Sequence, residues 1–201
     1  MAFHPSKRVA EWHPSYEWSR AVETKSLDAY CSPIPDTPYY VSGYNAAMHI
    51  LDFQHVLPKP MGFIVNVSDE DHRTKEKDAW KAAGLLYLYE PLLDECDQPL
   101  FTCADAVSDA MQAFEQAHPQ VPILIHCHVG MSRSVSVLLA HMLKTHQCVD
   151  YDTGLSRIQK GRTIAQPNDG FETQLRLYAR QKLDKRATEG LQDLSQDVVP
   201  S

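Results

Sequence analysis

A cysteine and an arginine six positions apart lie between a run of apolar residues and a segment with the pattern of an apolar helix. Cys127 follows the run PILIH (122–126), and Arg133 precedes a segment rich in Val, Leu and Met. A loop between a buried strand and a helix directs backbone N–H groups toward an anion, and the helix N-terminus adds about half a positive charge. The guanidinium of Arg133 would add two parallel donors. The segment therefore predicts a site for a phosphate or similar oxyanion.

The same surroundings would activate Cys127 as a nucleophile, because N–H donors and a helix N-terminus favour the thiolate over the thiol. A thiolate under a bound phosphate attacks phosphorus to form a cysteinyl-phosphate, which water then hydrolyses. Ser134 is placed to donate its hydroxyl proton to the sulfur and so help it leave in the second step. We expect His126 to hold the loop by hydrogen bonds rather than to transfer a proton. The candidate phosphate contacts, besides Arg133, are His128, Val129, Gly130, Met131 and Ser132.

Short apolar or β-rich runs alternate with helical patterns along the chain. We predict strands at residues 38–43, 62–68, 85–89 and 122–126. Helices are predicted from Leu100, directly after the loop, over about 151–160, and from Asn168, which is expected to cap the last one. This order predicts an α/β fold with a mostly parallel central sheet flanked by helices.

The composition is that of a globular protein, with 43% hydrophobic and 22% charged residues among 201. There are 26 acidic and 19 basic residues, a formal net charge of −7. This acidic balance disfavours a protein that coats a nucleic-acid backbone, so we expect no nucleic-acid partner. Any anion must therefore be bound by a local site.

Three segments differ in composition. Residues 1–36 form an N-terminal arm whose aromatic residues we expect to pack on the domain, with docking of a partner as the alternative. Residues 37–183 form the catalytic domain, and residues 184–201 form an acidic tail that we expect to be flexible. We make no prediction of the oligomeric state.

The cysteines and the apolar runs indicate the compartment. Five cysteines, an odd number without close pairing, predict reduced thiols. The first 30 residues contain no apolar run of signal-peptide length, and no stretch approaches the ~20 apolar residues of a membrane span. We therefore expect no membrane span and a location in the cytosol or nucleus.

The segment HCHVGMSRS (126–134) resembles the His-Cys-five-residues-Arg-Ser signature of the protein tyrosine phosphatase superfamily, in the form used by dual-specificity phosphatases. RTIAQPNDGFETQL (162–175) is similar to the segment that leads into the last helix of that family. The resemblance covers roughly residues 38–183. It implies a phosphatase-like α/β fold and hydrolysis of phosphotyrosine, with phosphoserine and phosphothreonine as further candidate substrates, without a metal or other cofactor.

The resemblance also implies a general acid on a loop some thirty residues before the nucleophile. Asp94 lies 33 positions before Cys127 and six before Leu100, the offset that the family's acid usually keeps. Asp97 is the alternative, although its position before Gln98-Pro99 also fits a helix cap. We favour Asp94. Arg162 matches an arginine that some family members aim at the substrate phosphate, with a structural ion pair as the alternative.

Other substrates and roles are open. Phosphoinositide-directed loops tend to carry Lys, which residues 128–132 lack, so phosphoprotein is preferred over phosphoinositides or RNA 5′ phosphates. A non-catalytic module that binds phosphoproteins is disfavoured because Cys127, Arg133 and Asp94 are all present. A metal site is disfavoured because a loop that wraps an anion cannot also converge its side chains on a cation. The histidines considered for such a site are His126, His128, His141 and His146.

Overall fold

The computed structural model describes residues 31–196, with residues 183–196 described by their backbone alone. Residues 1–30 of the predicted arm therefore lie outside the described residues. Within the described part, no helix is both long and apolar enough to cross a membrane.

A five-stranded sheet in the order β1-β2-β5-β3-β4 forms the centre of the domain. Strand β1 pairs antiparallel with β2, whereas β2, β5, β3 and β4 pair in parallel. The predicted α/β fold with a mostly parallel sheet is confirmed. The strands are β1 (Cys31–Pro33), β2 (Tyr39–Ser42), β3 (Phe63–Asn66), β4 (Leu86–Tyr89) and β5 (Ile123–His126).

Strand β1 is not anticipated by the sequence, which places residues 31–36 in the arm. Cys31 pairs with Ser42, and Pro33 pairs with Tyr40. Proline within a sheet is confined to edges because it cannot donate a ladder hydrogen bond, and β1 is an edge strand. The proline-rich segment therefore belongs to the sheet, although its composition is typical of a linker.

Seven α-helices in the described residues surround the sheet. Three short ones between β2 and β4 were not predicted individually, and α7 continues to Gln196, into the segment predicted as a tail. The division into arm, domain and tail stays a prediction. The helices are α1 (Tyr44–Met48), α2 (Ile50–Phe53), α3 (Thr74–Ala82), α4 (Leu100–Ala117), α5 (Arg133–Lys144), α6 (Tyr151–Gly161) and α7 (Asp169–Gln196), with a 3₁₀ turn at Gln54–Val56.

Both faces of the sheet are covered, as a parallel sheet requires. In β5, Ile123 and Ile125 belong to the larger cluster with α4, α5 and α7, whereas Leu124 belongs to the smaller cluster with Trp80 and Ile50. Helix α5 is buried along most of its length. This packing fixes both ends of the loop that joins β5 to α5.

Candidate active site

The loop of residues 127–132 joins the carboxyl end of the central strand β5 to the N-terminus of α5. Cys127 is buried, with 1% exposure. Its Sγ accepts a hydrogen bond from the Gly130 N–H at 3.2 Å and lies 3.4 Å from Ser134 Oγ. The loop therefore bends around the sulfur, with a backbone donor and a hydroxyl group next to it.

Gly130 makes this bend possible. Its φ of +75° lies in the left-handed region, and a Cβ at this position would lie 2.5 Å from the carbonyl oxygen of Ser42. Such a contact is with backbone that cannot move aside without shifting β2. Only glycine satisfies both the backbone angle and the space.

Arg133, the first residue of α5, is buried and lies between two carboxylates. Its Nη1 donates to Asp69 Oδ1 at 2.5 Å and to the Leu92 carbonyl at 3.3 Å. Its Nε lies 3.6 Å from Asp94 Oδ2 and is a buried donor without a hydrogen-bond partner among the described residues. Buried donors are almost always paired in folded proteins, so this N–H indicates a site for an additional acceptor.

Asp69, in the loop after β3, is a residue that the sequence reasoning did not single out. Its Oδ1 accepts from Arg133 and lies 3.0 Å from His128 Nε2. The hydrogen bond from Arg133 lowers the pKa of Asp69 below its usual value. Asp69 is therefore a carboxylate that holds two side chains of the loop region. Its position after a buried parallel strand was the signal available in the sequence.

Asp94 lies at the edge of the loop, in the segment between β4 and α4. Its Oδ1 accepts from Ser132 Oγ at 2.6 Å and from Asn168 Nδ2 at 2.9 Å. Asn168 also caps α7 by accepting from the Phe171 N–H at 2.9 Å. Asp97 is exposed, and within residues 31–196 no hydrogen bond or ion pair joins it to the loop. Of the two candidate acids, the structure brings Asp94 to the loop.

Arg162 lies behind the loop and is buried, with 5% exposure. Its Nε donates to the Gly130 carbonyl at 3.0 Å, its Nη2 to the Val129 carbonyl at 2.9 Å, and its Nη1 to Ser32 Oγ at 3.3 Å. These N–H groups are directed at loop carbonyls and at β1, and a contact of Arg162 with a substrate phosphate stays a prediction. By binding the carbonyls from behind, Arg162 stabilises the orientation of the loop peptides.

His126 and His72 meet next to the nucleophile. The His126 side chain is fully buried, its Nδ1 lies 3.3 Å from the Cys127 carbonyl oxygen, and its Nε2 lies 3.1 Å from His72 Nε2. Burial lowers the pKa of His72 to about 4 and lowers that of His126 well below 6.5. Both rings are therefore neutral near pH 7. The sequence reasoning placed His126 beside the loop but did not identify His72.

Residues 40–181 match the family model described as "Dual specificity phosphatase, catalytic domain", which covers more than half of the chain. The chain belongs to this family. The resemblance stated from the loop and the 162–175 segment is thereby confirmed.

Curated relatives of this dual-specificity phosphatase family member include dual specificity protein phosphatase 12 of Rattus norvegicus. That protein is 36% identical over 96 residues, which are 47% of this chain and 27% of the relative. The Homo sapiens protein of the same name is 28% identical over 140 residues, covering 67% of this chain and 38% of the relative. The chain thus matches less than half of the length of these relatives.

A solved structure with the same fold is that of a mouse dual specificity phosphatase complexed with zinc tungstate. It aligns with a TM-score of 0.63 at 24% identity, covering 78% of this chain and 90% of that chain. At this identity the likeness shows the fold.

The outer side of the loop is partly apolar in this family member. The Val129 and Met131 side chains are exposed, at 58% and 39%, as is Leu93, at 46%, beside Asp94. The first two residues thus face solvent with their side chains and can contact a bound phosphate only through their backbone.

A concavity of about 400 Å³ adjoins the loop at His128. Its walls carry three acidic side chains and one arginine. The lining residues are Tyr44, Asn45, Met48, Glu70, Asp71, Arg73, Glu76 and His128. The acidic character of this wall opposes the approach of ligands with several negative charges.

No group of three or more potential metal ligands occurs among residues 31–196. Of the histidines considered for a metal site, His141 lies elsewhere: its Nδ1 is 2.9 Å from Ser108 Oγ and its Nε2 is 2.9 Å from the Tyr39 hydroxyl.

Proposed function

We propose that this chain is a phosphoprotein phosphatase that hydrolyses phosphotyrosine through a cysteinyl-phosphate intermediate, with phosphoserine and phosphothreonine as further candidate substrates. The observation that carries the proposal is the loop of residues 127–132, which bends around Cys127 Sγ and leads directly into Arg133, whose buried Nε–H has no hydrogen-bond partner among the described residues. Membership of the dual-specificity phosphatase family supports it.

In the first step, the loop amides and Arg133 bind the phosphate, and the Cys127 thiolate attacks phosphorus. A sulfur–phosphorus bond forms and the bond from phosphorus to the leaving oxygen breaks. Asp94 gives its proton to that oxygen, because an alkoxide or phenoxide is a poor leaving group. The contacts of Asp94 with Ser132 and Asn168 support this role by holding the carboxyl group at the edge of the loop.

In the second step, water attacks phosphorus and the sulfur–phosphorus bond breaks. Asp94, now a carboxylate, takes a proton from the water. The hydroxyl of Ser134, 3.4 Å from Sγ, donates to the departing thiolate. The products are inorganic phosphate and the regenerated enzyme.

Two further side chains position this machinery. Asp69 holds Arg133 and His128 on the substrate side of the loop. Arg162 holds the carbonyls of residues 129 and 130 on the opposite side. We assign Arg162 to loop support in place of direct phosphate binding.

Phosphoprotein is preferred over phosphoinositides and RNA 5′ ends for an electrostatic reason. Residues 128–132 contain no Lys, and acidic side chains lie on both sides of the loop. A ligand with one phosphate needs the loop alone, whereas additional phosphates of a polyanion would lie near the acidic side chains around the loop. The acidic side chains are Asp69, Glu70, Asp71 and Asp94.

The test is turnover of a chromogenic aryl phosphate by the wild type and by Cys127→Ser, followed by a panel of phosphopeptides, phosphoinositides and 5′-triphosphorylated RNA. We expect turnover of the aryl phosphate and of phosphopeptides, abolished by Cys127→Ser. A wild type that binds phosphopeptides stoichiometrically without turnover would favour the non-catalytic module. Preferred turnover of phosphoinositides or RNA would overturn the substrate class.

A further inference from the structure

Two buried histidines from different parts of the chain contact each other directly beside the nucleophile. His126 ends β5, and His72 lies in the loop between β3 and α3. They are 0% and 3% exposed, and their Nε2 atoms lie 3.1 Å apart. One of the two nitrogens must donate and the other accept.

The neighbouring contacts decide which nitrogen donates. His126 Nδ1 lies 3.3 Å from the Cys127 carbonyl oxygen, which can only accept, so Nδ1 carries the proton. His126 Nε2 then carries no proton and accepts a hydrogen bond from the Nε2–H of His72. This leaves His72 Nδ1 without a proton, and this buried nitrogen has no hydrogen-bond partner among the described residues. An unpaired acceptor is tolerated better than an unpaired N–H in the interior.

The His72 ring is fixed by aromatic neighbours on several sides. Tyr44 stacks on it with ring centroids 4.1 Å apart and an interplanar angle of 13°. Trp80 and Tyr87 contact it edge to face, at 4.7 and 5.9 Å. The imidazole thus has little freedom to rotate away from His126.

We propose that His72 is a positioning residue for the nucleophile, which fixes His126 in the tautomer whose Nδ1–H donates to the Cys127 carbonyl. The inference rests on the proposed function. With His72 in place, the carbonyl oxygen next to the nucleophile is bound by a donor on the side of His126. Without His72, the ring proton of His126 can move from Nδ1 to Nε2. The unprotonated Nδ1 then faces the Cys127 carbonyl oxygen and cannot donate to it.

The thiolate of Cys127 is sensitive to this change. A donor on the adjacent carbonyl offsets the negative end of its dipole near the sulfur, and so favours the ionised form. Loss of one buried hydrogen bond corresponds to a change of up to about tenfold in such an equilibrium. The pH at which half of Cys127 reacts as a thiolate should therefore rise by up to about one unit.

When His72 is replaced, none of the charged or titratable groups around the histidine pair takes over its role as donor to His126 Nε2. Asp71 and Lys77 act on His72, and His128 acts on His126. The Tyr44 hydroxyl donates to the Asp71 carbonyl oxygen at 3.3 Å. Burial outweighs these charges and lowers the pKa of His72 to about 4, so His72 stays neutral at pH values well above 4.

The experiment compares His72→Phe, His72→Gln and Trp80→Phe with the full-length wild type. Phenylalanine keeps an aromatic ring between Tyr44 and Trp80 but removes the donor. Glutamine restores a donor at a position close to that of the imidazole Nε2. Trp80→Phe loosens the packing around His72 and leaves the donor in place, which makes it the matched control.

The main readout is the rate of Cys127 alkylation by iodoacetate as a function of pH, followed on the Cys127 peptide by mass spectrometry. We expect the midpoint to rise by about one unit in His72→Phe and to return toward the wild-type value in His72→Gln. Trp80→Phe should lower the melting temperature and leave the midpoint unchanged. The acidic limb of kcat/KM should move with the alkylation midpoint.

A second readout needs no variant. The ¹⁵N chemical shifts of the wild-type imidazoles should show Nδ1–H for His126 and Nε2–H for His72. The opposite tautomers, or an alkylation midpoint that His72→Phe does not move, would overturn the proposal. Both readouts are independent of turnover, so a chain that hydrolyses no phosphoester would refute the proposed function and still test the role of His72.

Discussion

The two carboxylates beside Arg133 differ in what holds them. Asp69 shares a direct hydrogen bond with the guanidinium, which lowers the pKa of Asp69 and keeps it ionised. Asp94 is held by the neutral donors Ser132 and Asn168, and its nearest contact with Arg133 is 3.6 Å long. A general acid must carry a proton before the reaction, which Asp69 does not. Asp69 is therefore disfavoured as the general acid, and proton transfer by Asp94 stays a proposal.

Asp94→Asn tests that assignment through the leaving group. We expect phosphotyrosine and alkyl phosphates to lose about 10²–10⁴-fold in kcat, because their leaving oxygens need the proton. An aryl phosphate with a good leaving group should lose far less. Steady-state kinetics on both substrate types is the measurement, and Asp97→Asn is the matched control. Equal losses on both substrates, or a selective loss in Asp97→Asn, would contradict the assignment.

Arg162→Met tests loop support against direct phosphate binding. Removal of the guanidinium takes the donor from the buried Gly130 carbonyl, at a cost of about 1–3 kcal/mol, and from the partly buried Val129 carbonyl. We expect a lower melting temperature together with a lower kcat. Arg157→Met is the control, because Arg157 donates to the carbonyls of Pro35 and Asp36, away from the loop. It should reduce stability with little change in kcat. A raised KM at unchanged stability in Arg162→Met would indicate phosphate contact instead.

At the scale of elements, the turn from β5 into α5 depends on one glycine. Gly130→Ala should lower kcat at least 100-fold, because its Cβ would lie 2.5 Å from the Ser42 carbonyl and the loop would have to open. Gly84 has a similar φ of +80° but open space around it, so Gly84→Ala should cost about 1 kcal/mol of stability and leave activity intact. Activity and melting temperature of both variants provide the comparison. Similar kcat values would show that the close approach to β2 is unimportant.

Sequence periodicity could predict the elements that bury continuous apolar runs. The runs GFIVNVS and PILIH correspond to β3 and β5, and the 4-3-4-3 spacing from Leu100 corresponds to α4. Strand β1 could not be predicted, because proline is typical of linkers and only the pairing of Pro33 with Tyr40 shows that this segment is a strand. The short helices between β2 and β4 have too few turns for a clear period.

In the candidate site, too, the sequence predicts local patterns but not contacts between residues that are distant in the chain. Cys127, Arg133, Ser134 and Asp94 stand at spacings that a linear motif records. Contacts such as that of His72 with His126 join residues 54 positions apart and depend on the order of β3 and β5 in the sheet. Arg162 was identified by the motif, but only its burial behind the loop shows which groups it binds. Sequence motifs thus identify the groups proposed to react, whereas the side chains that position these groups can be identified only from the folded structure.

For the molecule as a whole, the buried histidine pair predicts how stability depends on pH. The folded state holds His72 at a pKa of about 4 and His126 well below 6.5, whereas the unfolded chain titrates near 6.5. Between these values the unfolded state binds more protons, so stability falls as the pH decreases from about 6.5 toward 4. The slope is about 1.4 kcal/mol per pH unit for each histidine.

Urea denaturation at a series of pH values measures this slope, with His72→Phe as the comparison. Between about pH 6.5 and 4, the free energy of unfolding of the variant should change with pH by about 1.4 kcal/mol per unit less than that of the wild type, which corresponds to one proton. The pKa values of carboxylates such as Asp69 and Asp71 lie below their usual value of 3.8 in the folded state. Protonation of these groups therefore causes a separate loss of stability when the pH falls below about 3.8. Identical slopes for the two proteins would mean that His72 titrates normally in the folded state.

The parts of the chain outside the described residues keep their predicted roles. Docking by the arm and a cytosolic or nuclear location stay predictions. The matched relatives are longer than this chain, so the partners of the whole protein are a matter for experiment. The net charge of −7 favours partners or substrates without extended negative charge.

The proposed mechanism transfers the phosphoryl group through one sulfur atom, that of Cys127. Rapid mixing of Ser134→Ala with a phosphotyrosine peptide, followed by a denaturing quench and mass spectrometry of the peptides, measures this directly. Because Ser134 assists only the breakdown of the intermediate, the phosphoryl group should accumulate on Cys127 to a higher level than in the wild type. Phosphate release without any label on Cys127, or a label on another residue, would contradict the mechanism.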